Sequence, residues 1–142
     1  MMGLLSEYNG LAAATLARVF LGLLFFFQGY DAAFRIGLGK VIQTYEDGFK
    51  SAGIPRFLVV AAAWFTISTE LFGGVLLVLG VLEFPVLYLL GLNLLVAATG
   101  FGIVTPMWDT KHVFPRLILL LFLLVIPAEW NAWSLDHLIL NR

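Results

Sequence analysis

The run from Phe57 to Gly80 holds 24 residues and a single charged side chain, Glu70. A stretch of this length is enough to cross a bilayer, for which about 20 apolar residues suffice. Three further segments are comparable, and the chain reads as four spans at roughly 11–30, 57–80, 84–105 and 113–133. The fourth is the shortest, since its strictly apolar part, LILLLFLLVIPA, leans on a snorkelling Arg116 and on Trp130 and Trp133 for anchorage. Composition agrees: 61% of the residues are hydrophobic and 12% charged, and the mean hydropathy of +0.99 lies outside the range of soluble domains. Within lipid the backbone must satisfy its own hydrogen bonds, and the continuous Leu, Val and Phe runs lack the alternation of barrel strands. The expected fold class is an all-α membrane protein: a four-transmembrane-helix bundle forming one domain over 1–142.

The same composition excludes several functions. With no cysteine, disulfides, thiol redox chemistry, iron–sulfur clusters and thiolate metal sites are ruled out, so a redox role needs a borrowed cofactor. No basic patch with interleaved aromatics points to nucleic acid. The opening MMGLLSEYNG lacks a positively charged n-region, so the first apolar segment is expected to be retained. Between the first two spans, Phe34, Leu38, Val41, Tyr45 and Phe49 recur at helical spacing among Lys40, Gln43, Glu46 and Lys50, which predicts an interfacial helix within 31–56. Gly37 and Gly39 are expected to loosen its start, and Gly53-Ile54-Pro55 to stop it before the next helix. A tight turn is expected around Glu83. Lys and Arg concentrate in the first and third connections, which predicts that these loops are cytoplasmic in an inner-membrane, multi-pass protein with both termini outside.

A carboxylate at bilayer depth is costly unless paired or hydrogen-bonded, so Glu70 calls for a partner. Counting from the cytoplasmic end of each span at about 1.5 Å per residue puts Arg18 about 18 Å deep, Glu70 about 20 Å and Asn93 about 18 Å. Each also shares a stripe with small residues: Arg18 with Ala14 and Gly22, Glu70 with Thr66, Gly73 and Gly74, Asn93 with Ala97 and Gly100. Small residues mark helix contacts in membranes. The expectation is an intramembrane polar cluster of Arg18, Glu70 and Asn93 in which Arg18 neutralises Glu70, either as a lock on helix register or as part of proton or ligand handling.

A second polar set gathers at the cytoplasmic rim: Gln28, Asp31 and Arg35 after the first span, and WDTKHVFPR before the fourth. Two readings stand. These residues are interfacial anchors, or Tyr30, Asp31, Arg35, Trp108, His112 and Arg116 form a head-group site for a quinone or lipid, with Arg and His as donors and the aromatics as a wall. Haem and metal sites find no ligand set: the two histidines, His112 and His137, flank the fourth span at opposite ends, and Glu-x-x-His is absent. No candidate triad or phosphate loop is present, and catalytic residues are unknown.

The segments ARVFLGLLFFFQGYDAAF, GIPRF, TELFGGVLLVLG and PAEWNAWSLDHLI together resemble the DoxX-like integral membrane protein family. The resemblance implies a four-helix membrane protein; the family is named with the small subunit of an archaeal thiosulfate:quinone oxidoreductase in view, and its members are described as membrane oxidoreductase components. Where many members carry a lysine shortly after the glycine that ends the first helix, this chain has Gly29-Tyr30-Asp31 and then Arg35, and no catalytic residue carries over. The functional expectation is an accessory subunit, itself at most non-catalytic, that interacts with the quinone pool, binds no cofactor covalently and works with a soluble redox partner. The alternative is a non-enzymatic bundle that binds or transports a lipid or small solute as a homo-oligomer. A packing subunit with no ligand is the third.

Overall fold

The computed structural model describes residues 2–104, 111 and 113–140, with side chains from 8 to 139. Helix α1 covers Met2–Tyr30 and continues through a π-helical turn, Asp31–Gly37, into α2, Leu38–Phe49. Gly37, at φ 88° and ψ 137°, breaks the axis between them, a conformation that residues with a Cβ avoid. A short 3-10 turn, Lys50–Ala52, leads to α3, Arg56–Leu79, and the chain then forms α4, Glu83–Val104. Gly53 turns the chain in the left-handed region and Pro55 stands at the N-cap of α3, as the Gly-Ile-Pro sequence predicts. The last elements are α5, Phe114–Val125, a 3-10 turn at Ala128–Asn131 and α6, Leu135–Leu140.

Helices α1, α3 and α4 are each long and apolar enough to cross a membrane, and their outward faces carry large apolar side chains such as Leu16, Phe72, Tyr88 and Leu95. The fourth expected span is interrupted. Its helix, α5, has 12 residues and so rises about 18 Å. The cause is Pro127, which holds the preceding Ile126 extended at φ −69° and ψ 152°, because an α conformation there would clash with the proline ring. Residues 127–133 thus leave the helical path they were expected to follow.

The 31–56 connection also departs from a simple interfacial helix. The π turn shifts the phase of its apolar stripe, so Phe34 lies exposed with its ring 5.0 Å from that of Tyr30, while Val41 is buried. Helix α2 packs on α3, and Arg56 at the start of α3 bonds Glu46 at 2.7 Å. The turn before Glu83 is built by Gly80 at φ 68°: its N–H reaches Leu77 O at 3.1 Å and the Val81 N–H reaches Leu76 O at 2.9 Å, the paired bonds of a Schellman cap.

The most extensive interface joins α1 to α3. There the backbones touch: a Cβ on Gly74 would stand 2.5 Å from Phe26 N and 2.7 Å from Gly22 O. Buried Leu21, Phe25, Leu77, Val86, Leu87, Leu90, Leu94, Leu120 and Leu123 fill the space among α1, α3, α4 and α5.

Candidate functional site

Glu70 lies inside the bundle with 2% of its surface exposed, and its Oε1 accepts two hydrogen bonds. Gln28 Nε2 donates from α1 at 2.7 Å and Asn93 Nδ2 from α4 at 3.2 Å. Arg116, near the start of α5, is within electrostatic reach of the carboxylate, and its guanidinium sits 5.6 Å from the Phe25 ring centre. Four helices therefore direct one polar group each to a single point.

The expected partnership of Arg18 with Glu70 does not form. Arg18 Nη1 donates to Leu77 O at 3.0 Å and Val78 O at 3.2 Å, and its Nη2 donates to Trp133 O at 2.9 Å. These acceptors close the C-terminal end of α3, where unpaired carbonyls and the helix dipole favour a cation. The charges of Glu83 and Asp136 lie nearby. The physical reason is register. Gly22 meets Gly74 and Gly29 meets Leu71, so Gln28 is level with Glu70, and Arg18 is level with residues two turns further along α3. Tyr30 and Phe57, level by a count of residues, are not level in the fold: the helical path runs on past Tyr30, and α2 occupies the length of α3 that this leaves uncovered. Asn93 does meet Glu70, and Gln28, read only as a rim residue, is its nearest partner. The signal that could have found Gln28 is the glycine spacing: pairing Gly22 with Gly74 in antiparallel sense brings Gln28 to within two residues of the level of Glu70.

Beside this cluster lies a cavity of about 750 Å³. Phe20, Leu23 and Phe27 of α1 and Ile36 of the π turn line it and are exposed to the surroundings of the bundle, whereas Gln28, Glu70, Thr66, Tyr45 and Arg116 supply polar atoms. Of the expected head-group residues, Asp31 and Arg116 line the cavity. Arg35 pairs with Asp31 at 3.0 Å and stands 5.9 Å from the Tyr30 ring centre, so Tyr30 and Arg35 form a surface group at the cavity's edge. Trp108 and His112 lie outside the described residues.

The sequence model of DoxX matches residues 13–105, about two thirds of the chain. The chain belongs to the DoxX family. No curated protein and no solved structure gives a significant match. The part of this DoxX protein that carries the family pattern contains Arg18, Gln28, Glu70 and Asn93, while Arg116 and Trp133, one of the three acceptors of Arg18, follow it. In this DoxX protein the Glu70 cluster has the greater chemical scope of the two polar sites, because it faces open volume and the Arg18 site is closed by backbone.

Proposed function

We propose that this DoxX protein is an accessory membrane subunit that draws a quinone from the bilayer into the cavity beside Glu70. The observation that carries the reading is that cavity: about 750 Å³, rimmed by exposed Phe20, Leu23, Phe27 and Ile36, with Gln28, Glu70 and Arg116 in its wall. A quinone needs hydrogen-bond donors for its carbonyl oxygens and an apolar channel for its tail. Here the Gln28 amide, the Tyr45 hydroxyl and the Arg116 guanidinium are the donors, and the phenylalanines are the channel. Because the chain has no cysteine, electrons come from a separate redox partner. Helices α1, α3 and α4, with α5 and residues 126–133 as the fourth crossing, make a four-span topology. Its cytoplasmic rim carries Arg35, Lys40, Lys50, Arg56, Lys111 and Arg116, in accord with the positive-inside rule.

The test is thermal. A short-chain ubiquinone or menaquinone analogue added to detergent-purified protein raises Tm, and Arg116→Ala removes most of that rise. If several quinones leave Tm unchanged while phospholipids or fatty alcohols raise it, the non-enzymatic lipid-binding reading replaces this one. Mass spectrometry of the solvent extract of the purified protein identifies the resident ligand directly.

A further inference from the structure

Gln28, Glu70 and Arg116 line two cavities at once. Across them from the larger one lies a second, of about 240 Å³, walled by Phe25, Leu94, Ala97, Phe101 and Val113. It sits between α1, α4 and α5, at the end of the bundle where α4 closes and α5 begins. Asn93, fully buried, gives its amide N–H to Glu70, and its Oδ1 has no partner. An acceptor held out of solvent beside a carboxylate is a place for a donor, either a water or the proton of the carboxyl itself. Each element packed around Glu70 also presents a polar group: Gln28 from α1, Asp31 from the π turn, Tyr45 from α2, Asn93 from α4 and Arg116 from α5.

We infer that Glu70 is a two-sided proton-exchange site: through the larger cavity it meets the hydroxyl of a lipophilic ligand of the hydroquinone or phenol class, and through the smaller one it exchanges that proton with water. The transfer involves no electrons. The ligand O–H bond breaks, its electron pair stays on the ligand oxygen, and the proton joins the Glu70 carboxylate. The carboxyl then releases the proton to water in the smaller cavity and returns to the carboxylate bonded to Gln28 and Asn93. The lipid-side arm rests on the ligand reading above; the access of Glu70 from two sides does not.

Carbodiimides test the access. In protein reconstituted into phospholipid nanodiscs, dicyclohexylcarbodiimide arrives from the lipid and a water-soluble carbodiimide from the aqueous end, and peptide mass spectrometry counts the adducts on Glu70. Narrowing the larger cavity with Ala32→Phe slows the lipid-soluble reagent roughly tenfold and spares the other. Narrowing the smaller cavity with Ala97→Phe gives the opposite pattern. Each variant is its own folding control, since one reagent still reacts at the parent rate. The inference is overturned if one substitution blocks both reagents, or if neither reagent modifies Glu70 while exposed Asp47 is modified. A quinone that fails to protect Glu70 from the lipid-soluble reagent, with the crossed pattern intact, sinks the ligand reading and upholds the two-sided access.

Discussion

Glu70 and Arg18 solve the same problem, an ionisable group inside an apolar bundle, in two unrelated ways. Arg18 finds two backbone carbonyls at the end of α3 and a third at Trp133; Glu70 finds two side-chain amides. The consequences of removal differ accordingly. Glu70→Leu strands the amide N–H of buried Asn93, which costs about 1–3 kcal/mol, and it lowers Tm by several degrees. Glu70→Gln keeps a carbonyl oxygen for the Gln28 donor and holds most of that stability. Equal losses for the two variants would show instead that the charge itself holds the site. Arg18→Met takes the donor from Val78 O and Trp133 O, while Leu77 O keeps the Gly80 N–H, and costs about 2 kcal/mol or more, read as a fall in Tm larger than that of Glu70→Leu. The identity of these residues as special was legible, because a lone Arg, Glu or Asn within an apolar span demands a partner. Their partners were not, because matching depths requires the level at which each helix starts. That level is set by the π turn and by Gly37, which leave only a faint trace in composition.

Among the elements, the α1–α3 pair carries the most demanding geometry. The neighbours of Gly74 are backbone atoms, Phe26 N at 2.5 Å and Gly22 O at 2.7 Å from the position a Cβ would take. Backbone cannot rotate away as a side chain can, so Gly74→Ala forces the helices apart and costs about 1–3 kcal/mol. Gly91→Ala is the matched control, since its Cβ would meet only Leu120 side-chain atoms at 3.8 Å. The expected result is a clear drop in Tm for the first and almost none for the second; similar drops would mean that helix propensity or lipid contact, and not close approach, sets the response. The small-residue stripes of α1 and α3 were visible as Ala14, Gly22, Gly73 and Gly74, because only small side chains let helices touch in lipid. The end of α5 was misplaced for a definable reason: the apolar run continues past Val125 to Ala128, with Trp130 and Trp133 as expected anchors beyond it, and one proline outweighs it by fixing the backbone of the residue before it.

Over the whole molecule, the two ends of the bundle differ in kind. One end joins Gly10 of α1 to Trp130, whose ring occupies the space a Cβ there would take, and Arg18 to Trp133, with the backbone N–H of Asp136 bonded to Gly80 O at 3.0 Å. The other holds α2 and every exposed Lys and Arg among the described residues: Arg35, Lys40, Lys50, Arg56 and Lys111. Charge asymmetry of this kind orients short-looped membrane proteins with the cationic end in the cytoplasm. Because the chain has no cysteine, the orientation can be read with single introduced thiols and no background. Asp47→Cys on α2 and Leu138→Cys on α6 both replace exposed residues at opposite ends. In intact spheroplasts a membrane-impermeant maleimide labels the thiol at 138 and spares the one at 47 until the membrane is opened. The reverse pattern would invert the molecule and place the smaller Glu70 cavity on the outer face. Labelling of both thiols from one side would mean that α5 and residues 126–133 do not cross, leaving α1, α3 and α4 as the membrane-spanning set and overturning the contact of Arg18 with Trp133.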